Sequence, residues 1–324
     1  VDEAEVTRYG FRYDRAFAVV DENTPNREIQ TQRKLPQLAT IKTQLTKTAL
    51  VLSAPGMDDL SVPLDTTGLE VCTAQKIGSV VVDLNCHRYG EEASKWLQVV
   101  LREGRKGSKQ GVVPSFCLVQ LDPTRAVPEN GAGEFRARRV REQLAGEVAG
   151  EWDSCAIHDW CAFYMASMES LRDLNSRLSS QGSNIVGIDR FRANIVLDGG
   201  ELRPYEEDRW AVVRLGAARF RCLQGCPKCT MPMVDQDTGR RPDGQNPVLA
   251  LGKYRMFTED VAGPYAARGP YFGTWAAPDG LQEGDAHETV VVRVGDLLAV
   301  EQTAAVSPYD HWARAHPEAR PGRG

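Results

Sequence analysis

The sequence lacks the features that mark membrane-spanning, disulfide-rich and nucleic-acid-binding proteins. No stretch approaches the roughly 18 uninterrupted apolar residues that a bilayer-spanning helix requires. Eight cysteines in 324 residues are far too few for a disulfide scaffold, which favours a reducing intracellular compartment. An excess of positive charge is lacking as well, since 39 Lys and Arg stand against 44 Asp and Glu for a net charge of −5, and the arginines clustered between residues 136 and 141 fit a solvated surface segment. We therefore expect no nucleic-acid partner.

Two further signals are missing, a secretory leader and a dinucleotide-binding fingerprint. The chain opens on Val1 with no signal-peptide pattern. We expect that the natural N-terminus has been removed and that any targeting peptide or membrane anchor precedes Val1. No predicted strand is followed by G-x-G-x-x-G, the loop that binds nicotinamide dinucleotides. A redox enzyme with this sequence therefore needs a separate electron donor.

The apolar content, 42% of the residues, is enough for one large domain or two ordinary ones. Short β-rich runs separated by turn residues recur over residues 16–31 and 39–83, which predicts a small β-barrel or sandwich. The apolar period changes to that of a helix over residues 90–103, and a strand is predicted at 116–121. Residues 122–150 are polar and rich in Pro, Gly and Arg, which is typical of a connection between domains.

The second half predicts one clear helix and several strands. Ser167 is a good N-cap residue for a helix that carries Leu171, Leu174 and Leu178 on one face. Strands are predicted at residues 194–198, 211–215 and 219–223, and two more are predicted within 289–300. Residues 247–256 fit either a helix or a strand, and the Pro- and Gly-rich tail is predicted to be disordered. The whole pattern predicts a mixed α+β, β-rich fold with an N-terminal β-barrel-like domain.

Three cysteines, Cys222, Cys226 and Cys229, lie within eight residues. Thiolates are the soft ligands that bind zinc, copper(I), iron–sulfur clusters and molybdenum. The spacing fits a three-cysteine iron–sulfur site. It also contains half of a zinc site, although no second pair of cysteines completes it. Two alternatives remain open: all three thiols are buried in a strand and turn, or a single thiolate binds the metal of an organic cofactor.

The residues that follow the cluster favour a rigid loop. Asp235, Asp237, Thr238 and Gly239 have the pattern of an Asx-type turn, in which short acceptor side chains bind backbone N–H groups. A loop that carries a metal ligand needs such rigidity. The cysteine that precedes the turn could therefore present its sulfur from a fixed backbone.

Five motifs spread over the chain are distinctive when taken together. They are residues 13–15 (YDR), 31–38 (TQRKLPQL), 191–196 (FRANIV), 226–229 (CPKC) and 234–239 (VDQDTG). In combination they resemble the MOSC superfamily, and within it the amidoxime-reducing components and their bacterial relatives, from Val1 to about Val300. The resemblance implies an N-terminal MOSC β-barrel domain over residues 1–121, a connection over 122–150, a MOSC β-barrel domain with a few helices over 151–302, and a disordered tail over 303–324.

The resemblance also implies a molybdenum cofactor, in which a pterin dithiolene and one protein cysteine bind the metal. The family's ligand is the second cysteine of the C-x2-C pair, which is Cys229 here. Cys226 is then its neighbour and Cys222 a core residue. The cofactor-binding residues implied by family position are Arg15, Asp159, Arg192, Asn194 and Lys228. Arginine offers a planar fork to phosphate oxygens, and asparagine can pair with the amide-like edge of a pterin.

The implied reaction is the reduction of small N-oxygenated substrates such as amidoximes and hydroxylamines, with electrons from cytochrome b5 and its reductase in eukaryotic relatives. There are two alternatives. One is a carrier module, which holds either the cofactor or a persulfide on Cys229 and passes it on. The other is an iron–sulfur protein that uses all three cysteines. Pyridoxal phosphate is only a family label, because no lysine here lies in a recognisable phosphate-binding context. The location is mitochondrial, at the outer membrane through a segment ahead of Val1, or cytoplasmic.

Three positions depart from the family pattern. The Lys-Ser pair of the family's first strand lies upstream of the part that matches Val1. Trp160 stands where the family commonly has Thr, and Pro227 with Lys228 replaces Ser-Arg or Ala-Arg between the paired cysteines. The second exchange removes a guanidinium and a backbone donor, so an altered cofactor pocket is expected.

Overall fold

A computed structural model of the chain describes residues 2–7, 9–77, 81–102, 114–121, 161–244, 246–256, 269–279 and 289–303. The described residues divide into two compact units. The first unit comprises those within Tyr13–Gly133 and Val234–Arg241. The second comprises those within Val1–Arg12, Glu134–Met233 and Pro242–Gly324. The predicted connection over 122–150 and the predicted tail after Thr303 lie outside the described residues.

The first unit is built on a closed five-stranded barrel. Its strands in spatial order are β10 (Phe116–Leu121), β3 (Phe17–Asp21), β4 (Glu28–Ile29), β8 (Glu70–Ile77) and β9 (Val81–Arg88). Neighbouring strands are antiparallel except for β4 and β8, which pair in parallel. The prediction of an N-terminal β-barrel-like domain is confirmed.

A three-stranded sheet and one helix complete the core of the first unit. The strands β5 (Lys42–Leu45), β6 (Ala49–Ser53) and β7 (Leu60–Pro63) pair antiparallel in chain order. Buried residues alternate with less buried ones along β6 and β7, so one face of this sheet packs inward. The helix α1 (Glu91–Val100) packs Trp96 and Leu97 into the same apolar cluster as Leu50 and Leu60. The helix predicted over 90–103 is thereby confirmed.

The 234–241 segment, which follows the cysteine cluster in the chain, packs in the first unit. Gln236 and Gln32 exchange two amide hydrogen bonds of 3.0 and 3.1 Å, although 204 residues separate them. Asp235 Oδ1 accepts from the backbone N–H of Thr238 at 2.9 Å, which confirms the predicted Asx-type turn. Gly239 has φ +60°, and a Cβ there would lie 3.0 Å from Gln37 Cα. Two motifs that are far apart in sequence thus form one structure.

The second unit is built on a six-stranded sheet. Its strands in spatial order are β12 (Ile195–Leu197), β11 (Phe163–Ser167), β15 (Tyr271–Asp279), β14 (Ala218–Pro227), β13 (Trp210–Leu215) and β17 (Leu298–Thr303). A smaller sheet consists of β16 (Val291–Arg293), β1 (Glu3–Thr7) and β2 (Gly10–Phe11). Strand β15 is buried along almost its whole length. It therefore shows no alternation of apolar and polar residues, and the sequence did not predict it.

Two α-helices of the second unit begin at side-chain caps. Helix α2 (Met168–Ser180) starts after Ser167, whose Oγ accepts from the backbone N–H of Ser170, and it buries three leucines as predicted: Leu171, Leu174 and Leu178. Helix α3 (Pro247–Gly252) starts after Asn246, whose Oδ1 accepts from Leu249 N at 2.8 Å. The 247–256 stretch, ambiguous from the sequence, is therefore helical at its start. Among the described residues, no helix is both long enough and apolar enough to cross a bilayer.

The sheet of the second unit separates two apolar clusters. One cluster contains the leucines of α2 together with Tyr164, Cys226 and Phe272. The other contains Phe163, Phe220 and Cys222 among others. Side chains alternate between faces along a strand, but β14 has register shifts between residues 222 and 224 and between 225 and 227. An extra residue in a strand reverses which face the following side chains point to. Cys222 and Cys226 therefore pack in different clusters, although they lie four positions apart.

Candidate functional site

Cys229 differs in exposure from the other thiols of the described chain. The structure describes seven free cysteines; six are buried and Cys229 is partly exposed. It follows the end of β14 and precedes the 3-10 turn Met231–Met233. Thiolate is the form that binds metals, and a thiol needs access to a ligand to use it. Cys229 is therefore the thiol best placed to meet an incoming cofactor.

The backbone before Cys229 is held closely. Lys228 N–H donates to Pro270 O at 2.7 Å. Gly269 has φ +140°, and a Cβ at that position would lie 2.4 Å from Lys228 O. Only glycine permits so close an approach of two backbone segments. Cys229 thus extends from a fixed backbone, as the sequence predicted for a metal-ligand loop.

The side chains of Cys226 and Lys228 face the core of the second unit. Lys228 Nζ donates to Cys226 Sγ at 3.0 Å and lies 3.4 Å from the centroid of the Tyr164 ring. The exposed fractions of Lys228 and Cys226 are only 6% and 7%. The ammonium group that sequence analysis assigned to the cofactor is therefore occupied by core contacts. Its cofactor contact stays a prediction.

The three clustered thiols are not brought together as one ligand set. Cys222 is buried in the other apolar cluster, and burial raises the pKa of its thiol to about 12. The described residues contain no group of three or more His, Cys, Asp or Glu side chains that could hold a metal ion. The arrangement expected of a three-cysteine iron–sulfur site is absent from the described part of the chain.

Arg192 lies on a loop whose backbone is constrained. It ends the 3-10 turn Ile188–Phe191, has φ +57° and is exposed. That turn packs against the turn Met231–Met233, which follows Cys229. A non-glycine residue in the left-handed region costs about 1 to 3 kcal/mol, and such strain is concentrated at functional sites. The structure therefore places Arg192 on a strained loop beside the Cys229 loop.

Asn194 has a structural role in the same loop. Its Oδ1 accepts from Tyr164 N at 2.6 Å, and its Nδ2 donates to Ala162 O at 3.3 Å. Its backbone N–H also donates to Tyr164 O. These bonds hold the Arg192 loop on strand β11. The predicted contact of Asn194 with a pterin remains untested beside this role.

The remaining predicted cofactor residues are Arg15 and Asp159. Arg15 belongs to the first unit, in a turn where it has φ +54° and Tyr13 has φ +66°. Its guanidinium lies 3.6 Å from the Asp14 carboxylate. Asp159 and Trp160 are outside the described residues.

Sequence reasoning did not single out Tyr164 or Tyr271, which pack in the same apolar cluster as Cys226. Tyr164 OH donates to Phe272 O at 2.9 Å, and its ring face meets the Lys228 ammonium. Burial, and to a lesser degree negative charge on Cys226, raise the pKa of Tyr271 to about 12. Both tyrosines lie in apolar strands with no polar pattern around them.

A buried polar network lies near these strands. Glu207 is fully buried, and its two carboxyl oxygens accept from Ser170 Oγ at 2.7 Å and from Ser167 Oγ at 3.1 Å. Burial raises the pKa of Glu207, and the neighbouring Asp208 adds to the effect. Arg255 and Asp208 form an ion pair of 2.7 Å whose side chains are 0% and 2% exposed. This network lies outside the expected chemistry and bears on stability.

Glu207→Gln is expected to change how stability depends on pH. Because the folded carboxyl has a raised pKa, the contribution of Glu207 to the stability of the wild type is largest at low pH. That contribution is lost as the pH rises above the unfolded value, about 4.3, towards the folded pKa. Glutamine can still accept a hydrogen bond from one serine and donate one to the other. The free energy of unfolding of the variant should therefore rise relative to that of the wild type as the pH rises. Urea unfolding across this range measures the difference; Glu201→Gln, at an exposed position, should show none.

The family model of the MOSC domain matches residues 153–299, and the family model of the MOSC N-terminal β-barrel domain matches residues 1–104. The chain belongs to the MOSC family, with the N-terminal MOSC barrel ahead of the MOSC domain, and the resemblance stated from the motifs is confirmed.

Three curated relatives are similar to the chain over most of its length. The chain is 30% identical over 295 residues to mitochondrial amidoxime-reducing component 1 of Mus musculus, covering 88% of this chain and 76% of the relative. It is 28% identical over 285 residues to mitochondrial amidoxime reducing component 2 of Bos taurus, covering 85% and 73%. It is 26% identical over 254 residues to the molybdenum cofactor sulfurase of Homo sapiens, covering 73% of this chain and 25% of that protein.

Proposed function

We propose that this protein is a molybdenum-cofactor-dependent reductase of small N-oxygenated compounds such as amidoximes and hydroxylamines. The observation that carries the proposal is the partial exposure of Cys229, the residue at the family's ligand position, while the six other described cysteines are buried. The names of its relatives, amidoxime-reducing components and molybdenum cofactor sulfurases, both support a function linked to the molybdenum cofactor.

The described residues fit such a cofactor. A thiolate is a suitable soft ligand for molybdenum, and Cys229 lies at the end of a strand whose backbone is fixed by Gly269 and Pro270. Arg192 offers an exposed guanidinium on the neighbouring loop. We propose that Cys229 binds the metal, that Arg192 binds the cofactor's phosphate, and that Asp159, Asn194 and Lys228 complete the site. Arg15 stays a cofactor residue that family position alone implies. The proposed domain bounds are 1–121 and 151–302.

Each protein group has a limited task in this scheme. The bound cofactor supplies the two-electron and oxygen-atom chemistry. The thiolate of Cys229 donates electron density to the metal, and the cations neutralise the phosphate. Asn194 holds the Arg192 loop on β11, and Lys228 keeps its ammonium beside Cys226. The strained backbone of Arg192 orients the guanidinium in advance of binding.

The electron donor in this proposal is a separate protein, such as a cytochrome b5 with its reductase. The proposed location is an intracellular reducing compartment, either mitochondrial or cytoplasmic. Catalysis is tested by giving the molybdenum-loaded protein benzamidoxime and a reduced viologen dye. Repeated turnover to benzamidine supports the reductase. Transfer of cofactor to an apo-enzyme without turnover would instead support the carrier function.

Arg192→Gly is expected to separate cofactor binding from folding. Glycine adopts φ +57° without a Cβ penalty, so the free energy of unfolding should be unchanged or rise by up to about 1 kcal/mol. Loss of the guanidinium should lower molybdenum content, measured by elemental analysis, by about 10-fold or more.

The matched control for this variant is Arg27→Gly, since Arg27 has φ +48° but stands at no predicted cofactor position. Arg27→Gly should show the same change in the free energy of unfolding as Arg192→Gly, but its molybdenum content should equal that of the wild type. Equal metal content in both variants would remove Arg192 from the proposed site.

A further inference from the structure

Cys226 and Lys228 form a close nitrogen–sulfur pair in the second unit. The distance from Lys228 Nζ to Cys226 Sγ is 3.0 Å, and the residues are separated by Pro227 alone. Pro227 fixes its own φ near −65°, which limits the local freedom of the chain between the two side chains. The contact is therefore built into the end of β14.

The surroundings hold the lysine against the sulfur. The Tyr164 ring lies 3.4 Å from Nζ on another side of the ammonium, so the side chain is clamped between a π face and a sulfur. Both residues are more than nine-tenths buried. Next to Cys226, the Tyr271 ring fills the space beside Gly225, where a Cβ would lie 2.8 Å from Tyr271 Cδ1. Little room remains for the two groups to separate.

A sulfur beside an ammonium is chemically distinctive. Peroxide oxidises the thiolate form of a cysteine to a sulfenic acid, and the Lys228 ammonium lies 3.0 Å from the sulfur in question. A sulfenic acid formed on such a sulfur condenses with a nearby nucleophile, either a thiol or a nitrogen. Here the nearest nucleophile shown by the structure is the lysine nitrogen at 3.0 Å. Cys222 packs in the cluster on the opposite face of the sheet, and Cys229 is the thiol that one of the variants below removes.

We propose that Cys226 and Lys228 are a peroxide-sensitive modification site, at which oxidation joins Lys228 Nζ to Cys226 Sγ in a covalent sulfenamide bond. The site does not depend on the proposed reductase function. Its co-reactant is hydrogen peroxide, a small oxidant that must reach a sulfur whose residue is 7% exposed.

The reaction balances with one molecule of peroxide. The thiolate attacks a peroxide oxygen, the O–O bond breaks, and sulfenic acid and hydroxide form. Hydroxide takes a proton from the ammonium and leaves as water. The free amine attacks the sulfur, the S–O bond breaks, and the departing hydroxyl takes a second nitrogen proton to leave as water. Sulfur loses two electrons and the peroxide gains them.

Peptide mass spectrometry of the intact chain tests the proposal. The protein is treated with hydrogen peroxide, alkylated under denaturing conditions and digested with trypsin. Normal cleavage after Lys228 separates residues 222–228 from 229–240. We expect an uncut 222–240 peptide, lighter by two hydrogens before alkylation is counted, in which Cys222 and Cys229 are alkylated and Cys226 is not. A thiol reductant should restore cleavage and the third alkylation.

The other outcomes overturn the proposal. A disulfide between two of the three cysteines would also remove two hydrogens. It would leave only one of the three cysteines alkylated, and trypsin would still cut after Lys228. A bridge that retains an oxygen atom would exclude the direct N–S bond. Three alkylated cysteines after peroxide treatment would show that the pair does not react.

Two variants sharpen the assignment. Lys228→Arg keeps a cation and a tryptic site but lacks the amine, so the cross-linked peptide should be lost. Cys229→Ser removes the nearest competing thiol in sequence, so the cross-link should persist. Persistence in Lys228→Arg, or loss in Cys229→Ser while the protein remains folded, would contradict the assignment.

Discussion

Cys229→Ser is expected to abolish amidoxime reduction, with a loss greater than the roughly 10- to 100-fold typical of changes around a metal's ligands. Serine keeps the size of the side chain but offers a harder, more basic oxygen in place of a soft thiolate. Because Cys229 is only partly buried, the free energy of unfolding should change little. Benzamidoxime turnover and urea unfolding of the same preparation measure the two effects.

Cys222→Ser is the matched control, because it makes the same exchange seven residues earlier in the chain. Cys222 lies in an apolar cluster at 6% exposure, so a hydroxyl there should lower stability by about 1 to 3 kcal/mol. The folded fraction should keep its activity. If Cys229→Ser retained activity, or if Cys222→Ser lost it while folded, the assignment of the ligand would fail.

Among the single substitutions considered, Arg255→Met is expected to lower the free energy of unfolding most. Arg255 Nη2 lies 2.7 Å from Asp208 Oδ2, and the side chains are 0% and 2% exposed. Arg255 Nε also donates to Tyr271 O at 3.1 Å, and its guanidinium lies 4.1 Å from the Tyr205 ring. Removal of one partner leaves the Asp208 carboxylate buried without its counter-charge, which typically costs about 3 to 5 kcal/mol. Urea unfolding measures the difference.

Two controls separate the buried charge from other effects. The double variant Asp208→Leu with Arg255→Met replaces both charges by apolar groups and should recover much of the loss. Arg214→Met breaks a pair with Glu301 in which the arginine is 56% exposed, and it should cost no more than about 1 kcal/mol. A loss in Arg255→Met as small as that in Arg214→Met would contradict the role given to the buried pair.

The sequence predicts those elements whose signals are local. Helix α2 follows from the Ser167 cap and the spacing of its leucines, and α1 follows from the apolar period around Trp96. The strands β6 and β7 alternate as half-buried strands should. The Asx-type turn at Asp235 is a property of four consecutive residues. In each case one short stretch contains the whole cause of the structure.

What the sequence does not predict depends on distant partners. Strand β15 is buried on both faces, and Gly273 with φ +71° interrupts its pattern where a Cβ would lie 2.4 Å from Met165 O. The irregularities in β14 turn Cys226 to a different cluster from Cys222, which no spacing rule reveals. The pairing of Gln32 with Gln236 joins residues 204 apart. Family resemblance predicts which residues form the site, and long-range packing determines the contacts of those that the structure describes.

The same distinction applies within the site. The position of Cys229 after a strand was predictable, but the burial of Lys228 under Tyr164 was not. A lysine between two cysteines has the sequence pattern of a surface cation. The core contacts of its ammonium arise because Tyr164 lies on a strand that pairs with β15, far away in sequence. Sequence reasoning therefore named Lys228 without its contacts, and its assignment to the cofactor stays a prediction.

The central claim is that the sulfur of Cys229 bonds to molybdenum, and X-ray absorption at the molybdenum edge tests it most directly. The protein and its Cys229→Ser variant are produced in a host that makes the cofactor. We expect the metal in the wild type to have one sulfur neighbour more than the metal retained by the variant. An equal number of sulfur neighbours in the two proteins would contradict the claim.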